Sequence, residues 1–257
     1  PGRFPIGRVM QEDFTGRVAL VTGAFRGFGF ATAERLAARG ALVAVHVRDA
    51  GRAEATARRL GDRAFAVAGD LGNADDLKAI VARTLDRFGR LDVLVNNAAV
   101  ALSTRFEKIT EEEWRRAFEV NVTAVFLLIR AALPAMKEQQ YGRIVNLSST
   151  AGKTVSTLGG AHYTASKAAL GGLTRAAAKE LGPYGITVNA VCPGLFDTEL
   201  TRENATPEQL EAIAKTFPIR RLGEAVEVAD LICFLASEAA GYITGASLDI
   251  NGGDLML

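Results

Sequence analysis

Tyr163 and Lys167 stand four positions apart in a stretch whose apolar spacing predicts a helix from about Tyr163 to Leu181. Residues i and i+4 share one helix face, so phenol and amine are placed as neighbours. A free tyrosine titrates near ~10 and is a poor base at neutral pH. A neighbouring ammonium favours the phenolate and is expected to lower that value, toward the range where proton transfer is efficient. The pair therefore reads as a proton donor and acceptor for an oxygen. Ser149 lies fourteen positions before the tyrosine, and its hydroxyl can hydrogen-bond an oxygen on which charge develops.

A second chemistry is written near the start of the chain. A short apolar run ending at Thr22 passes into Gly23-Ala24-Phe25-Arg26-Gly27-Phe28-Gly29 and then a helix expected over Ala31–Arg39. Glycines here allow a tight turn, close approach of backbone to a pyrophosphate, and close helix–strand packing. The helix N-terminus adds free N–H groups and a positive dipole end. The junction is the first strand-to-helix passage of an alternating chain, which is where a dinucleotide-binding turn belongs.

The elements that must position these groups follow from periodicity. Val18–Thr22, Leu42–Val47, Phe65–Gly69, Leu91–Asn96, Ile144–Ser148, Thr187–Cys192 and Ser247–Asn251 read as seven buried strands, rich in Val, Ile and Leu. Between them lie helix signals: Asn73 as a cap with Gly89 as its stop, a Thr110/Glu113 capping box, and a helix from about Glu224 to Ser237. This pattern is a doubly wound α/β fold, a parallel sheet with helices on both faces. Residues 1–13 read as a flexible extension and 14–257 as one domain. Within it, 195–222 has no strand signal and is long for a connection, with Thr206, Pro207 and Gln209 starting a short helix. It is either a substrate flap or a fixed surface excursion.

Composition narrows the function classes. A formal net charge of +1, with basic and acidic residues interleaved, supplies no concentrated footprint for nucleic acid and none for a membrane surface. No apolar run is read as long enough to span a bilayer, and the first thirteen residues lack a signal-peptide pattern. Two cysteines, Cys192 and Cys233, and two histidines, His46 and His162, argue against a disulfide framework and a zinc site, and a cytoplasmic protein without metal is expected. A hydrolase built on His162 would need a Gly-x-Ser-x-Gly elbow, which the chain lacks.

The glycine spacing, Gly-x-x-x-Gly-x-Gly, makes a resemblance specific. With Asn96-Asn97-Ala98-Ala99, Asn121, Ser149, Tyr163-x-x-x-Lys167 and Val191-Cys192-Pro193-Gly194, the chain resembles the classical short-chain dehydrogenases/reductases from about Gly16 to its end. The resemblance implies a Rossmann-type fold and a catalytic set of Asn121, Ser149, Tyr163 and Lys167. In that set hydride passes between nicotinamide and a carbonyl carbon while Tyr163 protonates the oxygen. It also implies that Lys167 holds the nicotinamide ribose and that Asn121 supports a water-linked proton relay. Asp70 and Leu71 would border the adenine, and Asn97, Ala98 and Ala99 the ribose side, with Ala99 replacing the more frequent glycine. Pro193, Gly194, Leu195 and Thr198 would meet the carboxamide. The interval from Ser149 to Tyr163 is one residue longer than is usual, and the extra residue is assigned to the loop 152–160. Thr150 and Ser148 remain competitors for the serine's role, although strand alternation should turn Ser148 away.

An NAD enzyme usually carries a carboxylate at the end of the second strand for the ribose hydroxyls. Here Val47 holds that position, Arg48 follows, and Arg26 lies in the glycine turn. Two guanidinium groups and no acid favour the 2′-phosphate of NADP(H), with NAD(H) served through Asp49 as the alternative. The tail, Tyr242-Ile243-Thr244-Gly245 through Gly253, looks closest to 3-oxoacyl-thioester reductases and polyol dehydrogenases. Where members that recognise acyl-carrier protein tend to carry basic residues, this chain has Gln140 and Tyr184. A small ketone, sugar or CoA-type substrate is expected, in a homotetramer formed by the helices starting near Glu111 and Tyr163 and by the C-terminal strand. A nucleotide-retaining epimerase or lyase, or a non-catalytic cofactor-binding scaffold, stays open beside it.

Overall fold

In a computed structural model, residues 13–257 are described. The proposed extension therefore lies outside the described residues, except for Asp13. Seven parallel strands make one sheet: β1 (Val18–Thr22), β2 (Leu42–Val47), β3 (Ala64–Ala68), β4 (Val93–Asn96), β5 (Gly142–Leu147), β6 (Ile186–Pro193) and, last in the chain, β9 (Ser247–Ile250). Their order is β3-β2-β1-β4-β5-β6-β9. Chain order reverses between β1 and β4, and an open parallel sheet binds ligands at the carboxyl ends of strands beside such a reversal. Every strand foreseen in the sequence is present: β1 and β2 have the expected bounds, and no end of the other five is displaced by more than two residues.

Side-chain alternation along the strands sends apolar residues to both faces. Leu20, Leu94, Ile144 and Val188 pack on one face under α3 (Ala74–Phe88), α5 (Ala124–Gln139) and α6 (Ala161–Leu181). Ala19, Val21, Val95 and Val145 face α1 (Gly27–Ala38) and α9 (Ala225–Ala236) on the other. The remaining long helix of the first half is α2 (Ala50–Leu60), capped by Asp49, whose side chain accepts from the Arg52 amide at 2.8 Å. Caps elsewhere fall as expected: Asn73 accepts from the amides of Asp75 and Asp76, and Gly89 closes α3 in the left-handed conformation at φ 74°.

Three expectations are corrected. First, α1 begins at Gly27 instead of Ala31, so the glycine turn is itself the first turn of the helix. Second, the connection after β6 does contain strand: β7 (Phe196–Asp197) pairs in parallel with β8 (Gly223–Glu224), both too short to leave a periodic signal. Between them lie α7 (Glu199–Asn204) and α8 (Pro207–Ala214), the latter opened by the foreseen Thr206–Gln209 capping box. Third, among the described residues one helix is long and apolar enough to cross a membrane by length and composition. α4 (Glu111–Phe118), a π-turn at Glu119–Thr123 and α5 run on as 29 residues, within which an 18-residue stretch has mean hydropathy 1.5. The single apolar runs are short; the length comes from their joining. Ala124, Leu128, Ala132 and Met136 of this helix are buried in the core beneath the sheet.

Candidate active site

The glycine turn is built so that only glycine fits at its critical places. Gly23 and Gly27 have φ of 65° and 55°, a region that side chains rarely adopt. A Cβ on Gly29 would lie 2.3 Å from the Gly23 carbonyl oxygen and 2.4 Å from Asn97 Nδ2. At Gly27 the nearest atoms to such a Cβ are at 3.9–4.0 Å, leaving open space beside bare backbone. This cradle fits a pyrophosphate, and the donors would be the backbone N–H groups where α1 begins.

Neighbouring strands lock the turn. Asn97 Nδ2 donates to the carbonyls of Thr22 and Gly23 at 2.8 and 3.1 Å, and the Thr22 hydroxyl accepts from the amides of Asn97 and Ala98 at 3.0 and 3.1 Å. Ala99 is exposed, so the methyl that replaces the usual hydrogen meets no crowding. Phe28 packs edge-to-face on Phe196, with centroids 5.2 Å apart, joining the turn to the root of the 195–222 segment.

On the adenine side, Asp70 Oδ1 accepts from the Gly72 amide and from Arg116 at 2.8 and 2.9 Å. These two bonds hold its carboxyl below the usual range. Leu71 is 8% exposed and packs into the core. Arg48 is exposed beyond β2. The Asp49 carboxylate is occupied as the α2 cap, which argues against its serving a ribose. Arg26 is not free for a phosphate as it stands: both terminal nitrogens of its guanidinium meet the Glu203 carboxylate.

Beyond β5, the chemical residues converge. Ser149 Oγ accepts from the Ala151 amide at 3.1 Å, and its hydroxyl is near enough to Tyr163 to oppose the effect of burial on the phenol. Ser148 faces away and donates to the Lys167 carbonyl at 3.0 Å, as strand alternation required. Between Ser149 and Tyr163 run a 3-10 turn at Thr150–Gly152, a loop over 153–160 and the start of α6 at Ala161. Gly159 lies so close that a Cβ there would stand 2.7 Å from the tyrosine ring, while the Gly160 amide donates to Leu102 O at 2.7 Å.

Lys167 is 3% exposed. Its ammonium donates to the Leu147 carbonyl at 2.5 Å and sits 5.7 Å from the Tyr163 ring centroid. Burial drives its pKa down to about 8. Burial also pushes Tyr163 up, only partly opposed by the Ser149 hydroxyl. The expected lowering of the phenol by the lysine is therefore not what this pocket produces. Desolvation penalises both charged forms, and the ammonium is aimed at a carbonyl instead of the phenol.

Asn121 sits in the π-turn and is 1% exposed. Its Oδ1 accepts from the Val100 amide at 2.8 Å, and its Nδ2 donates to Val100 O and Ser166 Oγ, each at 2.9 Å. With three of its bonds made, the side chain orders the β4–α4 connection and α6. Further along, the Gly194 amide donates to Ile250 O at 3.0 Å and Thr198 caps α7. Cys192 is buried with its thiol pushed up by desolvation, as expected for a packing residue. Asn189 orders the turn before β9 through Ile243 O and the Ala246 amide.

Sequence reading did not single out His46, Thr22, Arg116 or Glu203. Each acts through a long-range contact that local spacing cannot show. A cavity of about 610 Å³ lined by Phe106, Ile109, Trp114 and Arg115 contains none of the chemical residues.

Comparison with known proteins agrees with this geometry. Residues 23–254 match the family model described as enoyl-(acyl carrier protein) reductase. The 3-oxoacyl-(acyl-carrier-protein) reductase of Vibrio cholerae is 40% identical over 245 residues, covering 95% of this chain and all of the relative. The enzyme of the same name from Synechocystis is 42% identical, covering 94% and 98%. A crystal structure of the Brucella melitensis 3-oxoacyl-(acyl-carrier protein) reductase superposes with a TM-score of 0.89 at 35% identity, over 100% of this chain and 98% of that one. The chain belongs to the short-chain dehydrogenase/reductase family. It is an NAD(P)(H)-dependent oxidoreductase.

Proposed function

We propose that the chain is an NADPH-preferring reductase of a 3-oxoacyl-thioester-like ketone, with Tyr163 as the proton donor. The observation that carries this reading is the meeting of Ser149, Tyr163 and buried Lys167 at the carboxyl end of β5, in the same sheet whose β1 leads into the glycine turn. The relatives' printed names supply the substrate class.

When bound, the nicotinamide supplies hydride to the carbonyl carbon. The chain's own work is at the oxygen. Ser149 donates a hydrogen bond to it, and Tyr163, protonated at neutral pH as a phenol is, delivers the proton as negative charge appears there. The reductive direction needs the acid form, which a phenol supplies at neutral pH; the upward shift from burial makes it a weaker acid, which the charge developing on the substrate oxygen has to offset. Lys167 places one positive charge under the site and is proposed to hold the ribose. Asn121 fixes the backbone that frames the lysine.

NADPH preference rests on exposed Arg48, on Arg26, and on the engagement of Asp49 elsewhere. The 195–222 segment is proposed as the substrate flap. Gln140 and Tyr184 leave the carrier-docking position without side-chain charge of their own. Lys137, 4.1 Å over the Tyr184 ring, is the nearby cation in contact with it. A CoA-type or small ketone is therefore the proposed substrate. A soluble, cytoplasmic homotetramer is proposed for the assembly, supported by the exposure of Trp114, Phe126, Met256 and Leu257.

A second reading, sugar or polyol oxidation, uses the same proton acceptor in reverse. Spectroscopic turnover of NADPH and NADH against 3-oxoacyl thioesters, simple ketones and polyols decides between them. Turnover confined to polyols with NAD would replace the reductase reading.

A further inference from the structure

His46, on β2, is 2% exposed and lies at the seam between two parts of the nucleotide cradle. Its Nε2 is 2.9 Å from the carbonyl oxygen of Gly69, just beyond β3 and next to Asp70. On the other side of the ring, Nδ1 accepts from the amide of Gly23, the first glycine of the turn, in a long bond of 3.4 Å. Its main-chain carbonyl accepts from the next amide of the turn, Ala24, at 3.0 Å. One residue thus clamps the phosphate side of the cradle to the adenine side.

We propose that His46 is a positioning residue for the dinucleotide, and that it works only as the neutral imidazole carrying its proton on Nε2. The argument is one of donors and acceptors. Gly69 offers an acceptor and Gly23 a donor, and only that tautomer satisfies both. A proton added at Nδ1 would face the Gly23 N–H donor to donor, and the turn would have to move. Burial favours the neutral ring, while the Gly69 carbonyl and the charges of Asp70 and of Asp76 on α3 pull the other way. Asp70 is in turn held by Arg116 and lies near Arg48. The inference rests on the nicotinamide reading above.

The test is NADPH affinity, measured by fluorescence titration on the intact protein at about pH 8 and about pH 5, the lower value reaching beneath the ordinary histidine range because burial lowers that of His46. The wild type is compared with His46→Leu, His46→Gln and His46→Asn. Leucine removes both bonds and should weaken binding about 10-fold at the higher pH. Asparagine places an amide oxygen near the position of Nδ1, so it should recover affinity to within about 3-fold at that pH. Glutamine should serve Gly69 but not Gly23. The discriminating result is the pH profile. Wild-type affinity should fall on acidification by more than that of the asparagine variant. The cofactor's own 2′-phosphate titrates identically in both and cancels in the ratio.

Parallel profiles for wild type and the asparagine variant overturn the proposal, as does wild-type affinity in a folded leucine variant. If leucine prevents folding, the asparagine comparison decides alone. Failure of the wild type to bind either nicotinamide nucleotide would remove the functional reading itself, a different outcome from equal binding by all four proteins.

Discussion

Arg26 and Glu203 are 177 positions apart in sequence and joined by an ion pair. One belongs to the glycine turn and the other to α7 of the 195–222 segment, so the proposed flap is tied to the proposed phosphate site. The 2′-phosphate of NADPH and the Glu203 carboxylate would compete for the same guanidinium.

Glu203→Gln should therefore tighten NADPH binding by about 3-fold, the scale of a partly exposed ion pair, and leave NADH unchanged. Titration of both nucleotides against wild type and variant checks this. Equal tightening of NADH would show that Glu203 acts on the whole cofactor and not on Arg26.

Arg48→Ala should weaken NADPH by about 10- to 100-fold, the worth of a charge-assisted bond to phosphate, and NADH much less. Equal losses for the two nucleotides in the same titration would refute the cofactor assignment.

Tyr163→Phe removes the proton donor while keeping the ring against Gly159. Turnover should fall about a thousand-fold or more, with NADPH affinity nearly unchanged. Residual activity near the wild-type rate would move the acid role to another group.

Lys167 links function to stability. Its folded-state value near 8 lies below the ordinary 10.5, so the folded chain prefers the neutral amine. As pH falls from about 10.5 to about 8, the unfolded chain takes up the proton first, and the wild type loses stability on the order of 3 kcal/mol relative to a chain without this amine. Below about 8 the difference is constant. Urea unfolding of wild type and Lys167→Met at about pH 10.5 and 7.5 should show the methionine variant gaining ground toward the lower pH while inactive. A pH-independent difference would mean the lysine is not desolvated.

Much of this was legible in the sequence. Buried parallel strands are apolar runs, so all seven appeared, and their ends drifted where pairing in the sheet and not apolarity sets the boundary, as at Gly142 and Arg143 ahead of the apolar run of β5. Capping residues marked α3, α4 and α8 because a cap bond is local. The start of α1 was misplaced because a helix that begins on glycines looks like a loop. The β7–β8 pair is two residues deep and carries no period. Among the chemical groups, the identity and convergence of Ser149 and Tyr163 could be read, but the direction of the phenol's shift could not. That depends on how completely the fold removes water, which residue spacing does not encode. His46 escaped for a related reason, since its partners, Gly23 and Gly69, are both glycines contributing only backbone.

The last strand also sets when the protein can become competent. Gly194 is held by Ile250 and packs on Asn251, and β6 is paired along its outer edge only by β9. During synthesis the strands that frame the phosphate cradle, β1 to β4, are complete by Asn96, whereas the segment proposed for the other end of the nucleotide has no wall until β9 has been made.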